Sequence, residues 1–386
     1  MAAPVELTAV AGHDPVPRRS WREAWIEWRN GLIESAWFQR WAVRFPLTRP
    51  VARRRARALF DLVSGFVYSQ VLSGCVQVRL FDLLADGAMS VAAIAPRIGL
   101  TEAATETLLK AATALELTER LHDDRYALGH LGAAMRGNPS VAAMIEHHTM
   151  LYADLADPIA LLRGQTDPSL ARYWAYATSD EPAAAPADRV GAYSTLMAES
   201  QALVADEVLD AYSMRNHRRL LDIGGGEGVF LSAAGRRNPE LGLMLFDLPA
   251  VAARAQARIA KSELKDRAQV YGGSFLTDSL PRGADIVSLV RVLHDHDDAV
   301  VRTILRAAHA ALPPGGTLMV AEPMSGTPGA APIGDAYFGF YLAAMRSGRP
   351  RTPDELNAML VEAGFCSVRL LPTHTPMIVR VLIATA

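Results

Sequence analysis

Cysteine is almost missing: Cys75 and Cys366 are the only two in 386 residues, far apart and without the close spacing of a metal site. That excludes a disulfide-stapled scaffold and a thiolate zinc cluster, and it suits a reducing cytoplasm. Net charge is scarce as well, −2 over the whole chain, so no overall pull toward nucleic acid or acidic lipid is expected. No unbroken apolar run reaches the roughly 18 to 20 residues of a membrane span, and the first thirty residues lack the pattern of a secretory leader. Half of the residues are apolar. The chain therefore reads as globular, with room for two or three domains of about 100 to 200 residues each.

What charge there is lies unevenly. Residues 1 to 60 hold eleven Arg against five acids, leaving +6 there and −8 elsewhere. Five of the six Trp fall between 21 and 41, and Trp21, Trp25 and Trp28 share one helix face at i, i+4 and i+7. The segment RPVARRRARALF adds a cationic stretch directly after them. Two uses stay open for this prelude. It packs on a partner subunit with its Arg side chains solvated, or it lies in a membrane interface with indoles at headgroup depth and Arg on anionic lipid.

From 60 to 150 the pattern is helical. Within it, GAMSVAAIAPRIGLTEAATETLLKAATALELTERLHDDRYALG reads as a helix-turn-helix with a two-strand wing, a shape that by itself suggests DNA. The stretch from Thr101 to Thr118, where a recognition helix would sit, sets Lys110 against Glu102, Glu106 and Glu116. That is a poor match to a phosphate backbone, so packing or dimerisation is expected and no nucleic acid. Residues 141 to 162 read as one helix carrying Met144, His147, His148, Leu151 and Tyr152, followed by a loop at SDEPAAAPADR and a helix from about 192 to 212.

From 218 onward, short apolar runs alternate with amphipathic helices, the signal of an α/β parallel sheet. Strands are expected at RLLDIG, LMLFD, AQVYG, DIVSLVRVL and TLMVAE. CSVRLLP and MIVRVLIATA close the chain with no helix between them, so this pair is antiparallel. Before it, RTPDELNAMLVEAGF has Thr352 as N-cap, Pro353 at the first position, Glu355 closing a capping box and Gly364 as the stop.

LLDIGGGEGVFL sets Gly224, Gly226 and Gly228 between the first strand and a helix, where missing side chains let a ligand approach the backbone. Asp247, at the end of the next strand, is placed to accept hydrogen bonds from ribose hydroxyls. A dinucleotide loop needs Gly at its sixth position; counted from Gly224, that residue is Val229, which disfavours a nicotinamide oxidoreductase.

With the closing antiparallel pair, DIGGGEG and FDLP resemble the S-adenosylmethionine (SAM)-dependent methyltransferases. LVRVLHDHDD is similar to the Leu-His-Asp-Trp-x-Asp motif of their plant-type, acetylserotonin-like O-methyltransferase branch. The resemblance implies a Rossmann-like sheet preceded by a mainly helical, winged-helix-like dimerisation domain. It implies a Trp/Arg-rich helical segment over 1-60, dimerisation over 61-190 and SAM binding over 191-386. SAM would be held by Asp222, Gly224, Gly225, Gly226, Asp247 and Leu248, with Ser274 and Phe275 as neighbours although relatives usually carry Asp at the first of these two.

The same resemblance makes His294 the general base, with Asp295 beside it and Glu322 fixing its tautomer. His296 stands where relatives carry Trp, and Pro350 in GRPRT replaces a second family acid. A metal on His294 and His296 is the alternative use, since residues two apart on a strand share a face. Asp297 and Asp298 are expected to cap the helix AVVRTILRAAHAAL. Family position makes Met144, His148, Tyr337, Phe338, Tyr341 and Met345 the acceptor pocket, although aromatic and Met residues at such spacing also suit a core.

WREAWIEWRN, FQRWAVRFPLTRPVARRRARALFDLVSGFVYSQVL and LVRVLHDHDD together resemble the members of this branch that act on the C-1 tertiary hydroxyl of acyclic carotenoids. This implies an apolar acceptor, a homodimer, and a cytoplasmic enzyme with peripheral contact to the photosynthetic membrane through residues 1-60. A bacteriochlorophyll or polyketide acceptor, or a winged-helix DNA-binding regulator, are the alternatives.

Overall fold

The computed structural model describes residues 20–173, 201 and 203–386. The chain divides into two compact units, one ending at Leu72 and one from Ser73 to Ala386. The first begins with helix Trp21–Glu34, started by a capping box in which Ser20 and Glu23 bind each other's backbone N–H. Ser35 ends that helix and caps the next, Ala36–Arg44, by accepting from the Phe38 N–H. Indoles dominate the surface: Trp21 is 81% exposed and Trp28 64%. Trp41 stacks on Phe45 at 4.8 Å, and the Arg29 guanidinium lies 5.6 Å above the Trp25 ring.

Helix Arg49–Gln77 runs without a break through the boundary expected at 60/61. By length and composition it is apolar enough to cross a membrane, a correction to the sequence expectation. Its apolar stretch is interrupted by short polar breaks such as Asp61, Ser64 and the pair Ser69-Gln70, which break a run but barely change an average.

The second unit opens with a small antiparallel sheet of β1 (Met89–Ser90), β2 (Thr118–Arg120) and β3 (Arg125–Leu128), in the order β1-β3-β2. Helices Val91–Ile98 and Glu102–Ala114 meet at Gly99, whose φ of 70° reverses the chain as Gly allows. The wing thus has one strand more than expected. Lys110 is paired with Glu106 at 2.7 Å on the surface of the second helix. The single helix expected over 141 to 162 is two, Pro139–Asp154 and Pro158–Leu162. Asp157 caps the second through the Ala160 N–H at 2.9 Å, and Pro158 takes its first position, where a missing N–H costs nothing. The loop expected at SDEPAAAPADR, the 190/191 boundary and the start of the helix expected at 192 lie outside the described residues.

The large sheet has β4 (Arg219–Ile223), β5 (Gly242–Asp247), β6 (Ala268–Gly272), β7 (Ile286–Val290), β8 (Thr317–Glu322), β9 (Cys366–Leu371) and β10 (Arg380–Thr385), in the order β6-β5-β4-β7-β8-β10-β9. β4 to β8 are parallel, and β10 runs antiparallel between β8 and β9. All five residues of β7, IVSLV, are buried because apolar side chains pack on both faces. β7 ends at Val290 rather than at Leu293. Arg291 takes a φ of 59° and throws the chain into a 3₁₀ turn, Leu293–Asp295. β10 likewise starts three residues late, after a turn over 376–378. The capping box at Thr352 and Glu355 forms as expected. Switching from β4 to β7 at the sheet's centre leaves a crevice at the carboxyl ends of the strands, where open α/β sheets bind ligands.

Candidate active site

The glycine loop leaves β4 with Gly224 at φ 65° and Gly226 at φ 57°. The Gly224 N–H reaches the Phe246 carbonyl at 2.8 Å and ties the loop to β5. Asp247 then accepts from two backbone groups, Gly226 N–H and Leu248 N–H, both at 2.7 Å. A carboxylate has about four acceptor sites, so two remain for hydroxyls. Burial pushes its pKa up to about 6 against the pull of those two amides.

Asp222 is buried at the end of β4, with Oδ1 accepting from Ser288 Oγ at 2.6 Å. Its Oδ2 has no partner among the described residues, and burial raises the carboxyl pKa to about 7. Gly225 lies over that oxygen: a Cβ there would come within 2.7 Å of it. Ser288 carries a signal that sequence reasoning missed, a single hydroxyl in the wholly apolar run IVSLV. Ser274 is buried after β6, and Phe275 packs edge-on against His296 at 5.3 Å.

His294 lies on the 3₁₀ turn and is 5% exposed. Its Nε2 is 3.2 Å from Asp295 Oδ1, and its Nδ1 is 3.5 Å from Glu322 Oε2. The Glu322 carboxylate makes its hydrogen bond to the His294 backbone N–H at 3.1 Å, so it holds the main chain as well as facing the ring. Burial lowers the imidazole's proton affinity, but Asp295 and Glu322 outweigh it and the net shift is upward. Asp295 itself is raised to about 6, by burial first. Val292, two residues earlier, packs on the glycine loop: a Cβ at Gly224 would meet its side chain at 2.8 Å. The loop and the imidazole therefore belong to one site.

Four rings join this site to helix Pro139–Asp154. Phe338 stands edge-on to His294 at 5.9 Å, Tyr337 contacts Phe338 at 5.0 Å, and the Tyr337 hydroxyl meets His148 Nε2 at 2.7 Å. Met144 is half-buried one turn before His148. Tyr341 and Met345 are buried in an apolar cluster with Leu151, Leu161 and Leu170, and the Tyr341 hydroxyl binds His147 at 2.9 Å. Both side chains are buried in the packing that their spacing also allowed.

Two expectations are corrected. Asp297 occupies the N-cap position of helix Asp298–Ala311, but its side chain caps nothing and instead accepts from the Gly348 N–H at 3.1 Å. Asp298 is held by Arg349 and Arg351, which drop its carboxyl to about 2. His294 and His296 also fail to share a strand face, because no strand passes through them. Burial lowers His296 to about 4, helped by His294 and Arg351. Arg351 was invisible to sequence reasoning: it is 0% exposed and reaches residues 58 positions away.

The sequence of the O-methyltransferase domain matches residues 152–366, and that of the O-methyltransferase dimerisation domain matches residues 60–135. Demethylspheroidene O-methyltransferase of Cereibacter sphaeroides is 44% identical over 355 residues, 92% of this chain and 93% of its own. Acetylserotonin O-methyltransferase of Mus musculus is 30% identical over 85% of this chain and 89% of its own. Human N-acetylserotonin methyltransferase, solved in complex with SAM, shares the fold with a TM-score of 0.72 at 23% identity, over 86% of this chain and 97% of that one. Since one domain match covers more than half of the sequence and the bacterial relative spans nearly all of it, the chain belongs to the O-methyltransferase family, with that family's dimerisation domain ahead of its sheet.

Proposed function

We propose that this O-methyltransferase uses SAM to methylate the C-1 tertiary hydroxyl of an acyclic carotenoid, with His294 as general base. One observation carries the chemistry: a buried imidazole flanked by Asp295 and Glu322, on a turn packed against the glycine loop. The demethylspheroidene relative at 44% identity supports the acceptor.

The donor set suits SAM. Asp222 Oδ2 offers an unsatisfied buried acceptor to an amino group, Asp247 keeps lone pairs for ribose hydroxyls, and Gly225 leaves the room that a side chain would fill. When bound, SAM supplies an electrophilic sulfonium methyl. An alcohol is about as weak an acid as water, near 15.7, against about 6.5 for imidazole, so full prior deprotonation would cost about 12 kcal/mol. Proton transfer to Nε2 therefore accompanies methyl attack, and alignment of the hydroxyl supplies much of the rate. Asp295, 3.2 Å away, stabilises the imidazolium as it forms. Phe338 and Tyr337 line the approach and keep water out.

The dimerisation domain match from residue 60 supports a homodimer, in which the exposed Phe60, Leu62 and Phe66 would face the partner subunit. The Trp and Arg residues from 21 to 57 are assigned to the surface of an anionic bilayer, in which a carotenoid dissolves. The enzyme is then cytoplasmic and peripheral at the photosynthetic membrane. Incubation with labelled SAM and a pigment extract tests the acceptor: label is expected in a hydroxylated acyclic carotenoid, and label only in chlorophyll precursors or phenols ends the reading.

A further inference from the structure

We infer that the segment Ser347–Arg351, ending in buried Arg351, is a positioning device that aims His294 by gripping its backbone turn. This rests on His294 being the general base.

The turn has little strength of its own. Its internal hydrogen bonds, Asp295 N–H to Val292 O at 3.3 Å and His296 N–H to Leu293 O at 3.2 Å, are long. Nor is the ring locked from its edge, since His294 Nδ1 stands 3.5 Å from Glu322 without a formed hydrogen bond. What is held is the main chain. Arg351 donates to Leu293 O at 2.9 Å and to His296 O at 2.7 Å, and Ser347 Oγ donates to Asp295 O at 2.8 Å. Glu322 accepts the His294 N–H.

All five N–H donors of Arg351 find acceptors: the two carbonyls above, Arg349 O at 3.4 Å, and Asp298 Oδ1 at 3.0 and 2.7 Å. Arg349 then clamps the same Asp298 through two bonds of 3.1 Å. Gly348, at φ 78°, presses its backbone so closely on the turn that any Cβ would overlap the His294 carbonyl. A guanidinium on each side of Pro350 thus serves the imidazole through its backbone, in the segment where the sequence resemblance places a second acid. The planar fork is essential, because a lysine ammonium has three donors on a flexible stem and cannot span both carbonyls and Asp298.

Misplacing a reacting group by about 1 Å costs roughly 10²-fold in rate. Arg351→Lys is therefore expected to lower kcat by about that factor and to lower the melting temperature as well, because buried carbonyls lose a donor, while SAM affinity and acceptor KM of the folded enzyme change little. A cycle with His294→Ala separates aiming from general support. If Arg351 acts through the imidazole, Arg351→Lys has no further effect once His294 is gone; a loss that multiplies in the double variant overturns the inference. The parent reading fails separately, through unchanged turnover of His294→Ala alone, whereas its expected loss is about 10² to 10⁴-fold. Should Arg351→Lys not fold, Ser347→Ala runs the same cycle with an expected drop of about 2- to 10-fold in kcat, and no drop sinks the device.

Discussion

His294 Nε2 lies 3.2 Å from Asp295 Oδ1, so the nitrogen proposed to receive the proton faces a carboxylate already in place. Burial pulls the imidazole's pKa down, and Asp295, followed by Glu322, pulls it up by more. A base must be unprotonated, so kcat should rise with pH through a midpoint above the ordinary histidine value of about 6.5. Asp295→Asn removes the largest upward contribution, and the acid limb should move to lower pH. A limb that stays put in a kcat–pH profile would show that Asp295 does not govern the base.

Asp247 joins Gly226 and Leu248 at 2.7 Å each, which couples the loop's shape to the acceptor for a ribose. Asp247→Ala should weaken SAM binding by about 10- to 100-fold, the worth of about one charge-assisted hydrogen bond. Because burial raises this carboxyl to about 6, SAM affinity of the unaltered enzyme should fall as pH drops through that value and the acceptor protonates. Calorimetric titration at several pH values reads both effects; an affinity indifferent to the substitution rules out the ribose role.

The sheet and the glycine loop are legible in the sequence because their causes are local. Apolar runs such as LMLFD bury both faces, and Thr352 with Glu355 closes a capping box within four residues. The active-site turn is less legible. Val290 looks like the middle of a strand because Val292 and Leu293 continue the apolar run, yet the φ of 59° at Arg291 ends it. Asp297 and Asp298 look like caps until partners from residues 348 to 351 arrive, and no local pattern announces a contact made across more than fifty residues. Tyr341 and Met345 follow their apolar spacing into the core, whereas Phe338 faces His294 because the helix turns it that way.

Gly225 and Gly226 adjoin in the loop but should fail differently. At Gly225 a Cβ would sit 2.7 Å from Asp222 Oδ2 and 2.9 Å from the Leu245 side chain, so Gly225→Ala should cost about 1 to 3 kcal/mol of stability by overpacking. At Gly226 a Cβ meets nothing within 4 Å, and only the φ of 57° penalises it, by about 1 to 2 kcal/mol. The second variant should fold and still bind SAM poorly, since its methyl occupies the ligand's side of the loop. Thermal melts with and without SAM distinguish the two; equal behaviour would contradict the packing described.

Asp298 is held near 2 chiefly by hydrogen bonds from Arg349 and then Arg351. Its folded-state pKa lies below the unfolded value of about 3.8, so the stability it gives is complete above that value and fades as pH falls through about 2. Asp298→Asn leaves the fully buried Arg351 without its counter-charge. Partial exposure of Asp298 screens the pair, so the expected cost at neutral pH is about 1 to 3 kcal/mol. The gap between the two melting temperatures should close as pH drops from about 4 to 2. A gap independent of pH would assign the loss to shape rather than charge.

Arg53 and Arg57 lie one helical turn apart on a solvent-facing stretch, beyond a surface that also exposes Trp21, Trp25 and Trp28. Near an anionic membrane each cation contributes about 1 kcal/mol, so replacing both by Ser should reduce affinity for phosphatidylglycerol vesicles by about 30-fold. Added salt should weaken the unaltered protein in the same way, since the Debye length shrinks to about 3 Å at 1 M. Changing the three Trp to Ala should remove the residual, salt-resistant binding that indoles supply at headgroup depth. Flotation undiminished in both variants would end the membrane assignment. Dissociation of a dimer by the Trp variant would hand that face to the partner subunit instead.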